Sequence, residues 1–202
     1  MKDEMDILRE VGSISAGHGS IALSEILGRK INLRLPALDI LPREEILNKL
    51  NLGQMAISVS SHILSGLKGN VLFVLDEKSA FKLIDMCYKI NEEEKKKGAF
   101  TEMGMSIIKE VGSVVISSYI GALSIMLKKL IIPSIPTLVS GPIQEIINIA
   151  AGSYSNEEYI LLVEAVFEEP RQRISGSFYL VLNPEAMKYI QESCKKILKS
   201  LE

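Results

Sequence analysis

This chain has no tryptophan, two cysteines and two histidines, and aromatic residues make up only 5% of it. Each scarcity argues against a class of function. With Cys87, Cys194, His18 and His62 as the only thiols and imidazoles, a zinc site of standard ligand count is not expected. Two histidines with no carboxylate at a defined spacing do not make a Ser/His/Asp arrangement, and no glycine-rich nucleotide loop is present. The charge balance is equally uninformative about polyanions: 23 Lys and Arg against 25 Asp and Glu leave a net charge of -2. Without a basic face to neutralise phosphates, nucleic acid is excluded as an expected partner. The chain opens on Lys2, Asp3 and Glu4 with no apolar signal segment, so a cytoplasmic location is expected, in keeping with the few cysteines. One uncharged run, Val111 to Leu127, reaches the short limit of about 17 to 25 residues for a spanning helix. Gly112, Ser113, Ser117, Ser118, Gly121 and Ser124 interrupt it, so a buried helix is expected and membrane insertion is not.

What the chain does have is a repeat. Residues 5–38 and 105–138 align without a gap at a constant offset of 100, with Glu10-Val11-Gly12-Ser13 matching Glu110-Val111-Gly112-Ser113. Met5/Met105, Ile7/Ile107, Ala22/Ala122, Leu23/Leu123, Ser24/Ser124, Ile31/Ile131 and Pro36/Pro136 are also identical. Two copies that bury the same face would keep their apolar positions. A core has no need of the same Glu and Ser twice, so these are the candidate functional residues. On a helix, Asp6, Glu10 and Ser13 fall at i, i+4 and i+7 and project from one side; Ser106, Glu110 and Ser113 repeat the stripe.

The stripe, with Pro36 and Pro136 each following after twenty-two intervening residues, resembles the paired signature of the CheC/CheX/FliY phosphatases of chemotaxis: Asp or Ser, three residues, Glu, two residues, Asn, twenty-two residues, Pro. The departure is at the Asn, which is Ser13 in the first copy and Ser113 in the second. The resemblance covers nearly the whole chain. It implies a similar fold and a partner, the phosphorylated response regulator CheY, whose aspartyl phosphate such proteins hydrolyse. It also implies that the protein needs no cofactor of its own, the regulator supplying the metal.

An acyl phosphate is already reactive, so such a phosphatase mainly positions a water in line with phosphorus. By resemblance, Glu10 and Glu110 would hold a lysine of the regulator, and Ser13 and Ser113 stand where an amide would orient the water. A serine hydroxyl is shorter and on a helix turns back to bond the carbonyl four residues before, so weak activity is expected. The alternative is a non-catalytic adaptor for phospho-CheY or for the receptor deamidase CheD. A partial motif for CheD is Gly141-Pro142-Ile143-Gln144-Glu145, where Gln144 and Glu145 would be partner-binding, as would Asp6 and Ser106. A structural relative of the flagellar switch proteins ranks last, because no room is seen for an additional switch-binding domain.

The rest of the pattern gives an α+β fold. Helical periodicity runs from Asp3 or Asp6 to Gly28 and from about Thr101 to Lys129. Strands are expected at Ile31–Ile40, Met55–Ser61, Lys68–Asp76, Ile131–Val139, Tyr159–Glu168 and Ile174–Leu182, and shorter helices at Arg43–Leu50, Glu77–Ile90, Pro142–Ala151 and Pro184–Leu201. The expected architecture is two pseudo-two-fold related halves, 1–98 and 99–202, forming one domain around a largely antiparallel sheet of about six strands. Two long duplicated helices and the shorter helices pack on that sheet. Gly17 and Gly19 suggest close approach of another backbone, His18 a half-buried site, and Phe81, Leu83, Ile84, Cys87 and Tyr88 an inward face.

Overall fold

The computed structural model describes residues 2–42, 45, 54–88, 101–152, 159–171 and 173–199. The expected helix at Arg43–Leu50 (apart from Glu45) and the Glu92–Lys97 charge run lie outside these. Helix α1 (Lys2–Leu27) leads to strand β1 (Asn32–Pro42), the hairpin β2 (Met55–Ser65) and β3 (Gly69–Asp76), and helix α2 (Glu77–Cys87). Helix α3 (Glu102–Leu127) then leads to β4 (Ile132–Pro133), β5 (Thr137–Pro142), α4 (Ile143–Gly152), the hairpin β6 (Tyr159–Glu169) and β7 (Ile174–Leu182), and α5 (Pro184–Lys199).

All strand pairs are antiparallel, in the order β1-β6-β7-β3-β2-β4, with β5 also on β2. The first strand after α1 therefore pairs with the late hairpin, and the strands after α3 pair with the early one. Both prolines of the repeat sit where pairing breaks, as a residue without an N–H must. Pro36 lies in a bulge between Arg34 and Ala37 on the end strand β1. Pro136 lies in the gap between β4 and β5, which Ser134 bridges: its Oγ accepts from His62 N at 3.0 Å and its carbonyl accepts from Ser61 Oγ at 2.9 Å.

Strand β3 occupies the middle of the sheet, which explains its unbroken apolar run: both of its faces are covered. Val71, Phe73 and Leu75 face the main core under α1, α2, α3 and α5, while Leu72 and Val74 face a second cluster with Ile146, Ile147, Ala150 and Ala151 of α4. Among the described residues, α3 is the one helix long and apolar enough to cross a membrane, and half of its apolar window is buried inside the fold, with Ile108, Val115, Ile116, Tyr119 and Leu123 in the core. Its apolar character is thus accounted for by core packing.

Helix ends follow local chemistry. Thr101 Oγ1 accepts from Gly104 N at 3.1 Å and caps α3, with Glu102 in the first turn. Thr101→Ala is expected to lower stability by about 1 kcal/mol, read as a lower urea midpoint at unchanged slope. Gly28 ends α1 at φ +60, and Lys128, its counterpart at offset 100, adopts φ 49 at the end of α3.

Two expectations are corrected. Leu83 and Ile84 are buried and Phe81 is half-buried, but Cys87 and Tyr88 are exposed, because α2 stops there and Tyr88 takes an extended conformation. Gly17 meets nothing within 4 Å, and a Cβ on Gly19 would meet side chains, Phe178 at 3.4 Å and Val115 at 3.6 Å, not a backbone.

Candidate functional site

The long helices α1 and α3 pack against each other and over the sheet, so each buries one side and leaves a stripe outside. The burial sequence is the same along both signatures. Leu8, Val11 and Gly12 are buried, as are Ile108, Val111 and Gly112; Glu10 and Glu110 are exposed; Ser13 and Ser113 are half-buried at the rim. Asp6 and Ser106 are exposed one turn before the glutamates. All six residues singled out from the repeat thus lie on the outer stripes of two neighbouring helices, three on each. Gln144 and Glu145 do not join them: they lie on α4, which packs with the second core cluster, Gln144 half-buried and Glu145 exposed.

Side-chain bonding separates the copies. Asp6 pairs with Arg9 at 3.0 Å, both well exposed. Arg9 escaped notice in the sequence, although an acid followed at i+3 by a base was signal enough. Ser106 Oγ donates to Glu102 O at 2.9 Å, and Ser113 Oγ donates to Lys109 O at 2.6 Å. Ser113 thereby makes the back-bond to i-4 expected of a helical serine. Glu10, Glu110 and Ser13 make no hydrogen bond or ion pair with other described residues, so both carboxylates and one hydroxyl are available to a partner.

Ser24 and Ser124, identical in both copies, have a structural explanation. Ser24 Oγ donates to Ser20 O at 2.8 Å and accepts from Ile31 N at 3.2 Å, while Ser124 Oγ donates to Lys129 O at 2.6 Å. They close the helix ends onto the chain leading to the next strand. Their repetition follows from the fold. His18 is exposed, where half-burial was expected, because α1 turns that position outward.

No group of three or more His, Cys, Asp or Glu able to hold a metal occurs among the described residues. Away from the helices, the Tyr179 hydroxyl donates to Glu164 Oε1 at 2.7 Å in a part-buried contact. Burial, and then the adjacent carboxylate, push its pKa well above the ordinary phenol value, so it remains a neutral donor.

The functional face is thus an antiparallel sheet covered by two long helices, each presenting Glu-x-x-Ser outward. No family model matches the chain. It is homologous to the CheY-P phosphatase CheC of Bacillus subtilis (strain 168), at 25% identity over 175 residues, 85% of this chain and 84% of that protein. Solved structures share the fold. FliY of Thermotoga maritima has a TM-score of 0.74 at 23% identity, covering 97% of this chain and 98% of that one. The FliM middle domain from H. pylori gives 0.61 at 14%, covering 96% and 99%, and CheX from Desulfovibrio desulfuricans gives 0.59 at 11%, covering 85% and 97%.

Proposed function

We propose that this protein binds the phosphorylated response regulator CheY and promotes hydrolysis of its aspartyl phosphate, slowly, because a serine stands at each water-positioning place. The observation that carries the reading is the pair of outward stripes that share Glu-x-x-Ser, with Glu10 and Glu110 exposed and unpaired. An unpaired exposed carboxylate on a rigid helix is a ready acceptor for a partner's ammonium group. The regulator contributes the metal and the lysine that hold the phosphoryl charge; this chain contributes approach and water orientation, and needs no cofactor. The cytoplasm, where response regulators act, is the place for it.

One observation favours a second reading, an adaptor without catalysis. Ser113 Oγ is turned back onto its own helix by its bond to Lys109 O, which draws the hydroxyl away from a water at the partner's phosphoryl group. On that reading the stripes bind phospho-CheY and hold it. CheD would be a further partner, through Glu145 on α4. Ile147 in the same helix is 0% exposed, so a docking test there uses Glu145→Arg and leaves the core untouched.

The deciding measurement is the decay of phosphorylated CheY with and without the protein. Wild type is expected to accelerate decay, and Glu10→Ala/Glu110→Ala to return it to the rate of CheY alone. Ser13→Asn/Ser113→Asn should raise the rate above wild type. No acceleration by wild type, with a gain in the Ser→Asn double variant, would establish the adaptor. Unchanged decay in every case would reject CheY as the substrate.

A further inference from the structure

We infer that Ile14 and Val114 are the apolar anchors of the regulator-binding face, each seating the stem of the cationic side chain that Glu10 or Glu110 receives. The inference deepens the reading above and rests on it for the partner's identity. Between Asp6 and Leu27, the aligned positions exposed in both long helices are Asp6/Ser106, Arg9/Lys109, Glu10/Glu110, Ile14/Val114, Ile21/Gly121 and Glu25/Ile125. The outer pairs differ in chemistry. The three between agree: a base, an acid and a β-branched apolar residue in each copy, with Ser13 or Ser113 half-buried among them. Shared ancestry alone would not confine the likeness to this one exposed stretch.

Packing does not explain the apolar pair. Ile14 and Val114 are each 39% exposed, and neither is among the side chains packed on the two core clusters, whereas Ile7 and Ile107 are. A β-branched residue forms helix less readily than alanine and here leaves apolar surface in water, so a solvated turn has no use for one in both copies. Each follows its glutamate by four residues and so lies beside it on the same face. An exposed ion pair by itself is weak, because water screens it. With a branched apolar side chain beside the carboxylate, a lysine can lay its methylene stem on that side chain while its ammonium group reaches the acid, and water leaves both contacts. Charge complementarity commits the face to a partner that presents a cation next to apolar surface, the regulator's lysine in the reading above. A second copy of this chain is not the occupant: two branched side chains fall far short of the roughly 800 Å² per partner that a stable interface buries.

The test measures binding of the full chain to CheY carrying beryllium trifluoride, an unreactive stand-in for the acyl phosphate, by titration calorimetry. Ile14→Ser/Val114→Ser is expected to weaken binding about tenfold and, in the decay assay, to raise KM with kcat little changed. Ile14→Val/Val114→Ile, which exchanges the two residues, should bind as wild type does. So should Ile125→Ser, which removes a side chain 78% exposed in the last turn of α3, away from the shared stretch. The double Ser variant should melt no lower than wild type, since both positions are exposed. Unchanged affinity in that variant, an equal loss in Ile125→Ser, or a lower melting temperature would overturn the inference and leave the CheY reading standing. Dimerisation of the wild type that the double Ser variant abolishes would assign the face to a second copy, and the inference would fail. A wild type that neither binds this form of CheY nor accelerates decay of the phosphorylated form would overturn both.

Discussion

Replacing Phe178 by alanine is expected to cost about 3–5 kcal/mol, the range for removing a buried aromatic from a core. Its ring lies 5.1 Å from that of Phe167, 5.7 Å from Phe73 and 6.3 Å from Tyr119, and it is 1% exposed. The same ring meets Gly19, at 3.4 Å from where a Cβ would stand. Phe178 on β7 therefore touches both long helices at once, Tyr119 on α3 and Gly19 on α1. Its loss would open a cavity between the sheet and the two elements that present the glutamates. With total stabilities commonly about 5–15 kcal/mol, the variant should show a much lower urea midpoint with little change in slope. A loss below about 1 kcal/mol would mean that the helices are held in place elsewhere.

Gly112→Ala is the second large effect, and it reaches the site directly. A Cβ at Gly112 would stand 2.5 Å from Val59 Cβ and Cγ2. Val59 is wholly buried on β2, with β3 on one side and β5 on the other, so it cannot withdraw. The helix must lift instead, moving Glu110 and Ser113 on either side of the glycine. Overpacking of this kind costs about 1–3 kcal/mol, against about 0.5–1 kcal/mol gained from replacing a helical glycine. The net expectation is a loss of about 1 kcal/mol, and at most about 2.5 kcal/mol. Val59→Ala in the same chain should recover much of it, a coupling that a double-mutant cycle measures. Gly121→Ala is the control: nothing lies within 4 Å of that position, so it should gain stability by about 0.5–1 kcal/mol. If both glycine variants behave alike, the contact with Val59 is not what requires Gly112.

The contrast between these two glycines shows where the sequence runs out. Both lie in one helix at helical spacing, and no local pattern separates them. What differs is the residue opposite, which belongs to a strand about fifty residues earlier. Gly17 and Gly19 repeat the lesson, since the first faces open space and the second a phenylalanine from β7. The β3 run Val71 to Leu75 was more legible. Five consecutive apolar residues required burial on both faces, and that is met by the two core clusters.

By itself, the amino-acid sequence determined the two long helices, the hairpins, and the three polar positions that each helix turns outward, whereas the single strand expected at Ile131–Val139 is split at Pro136 into Ile132–Pro133 and Thr137–Pro142. Those properties depend on spacing around an axis and on φ, ψ and N–H availability at single residues, all of which are local. Tertiary structure alone decided which partners the side chains found. It gave Ser24 and Ser124 to helix closure, placed Ile147 inside, left Cys87 outside, and crossed the strands so that β1 lies on β6 and β5 on β2. It also distinguished Ser13 from Ser113, each closing a Glu-Val-Gly-Ser stretch, through one hydroxyl bond to Lys109 O. A residue's spacing fixes the direction in which it points; what it meets there depends on chain segments far away in sequence, and a hydroxyl's bond depends further on its rotamer.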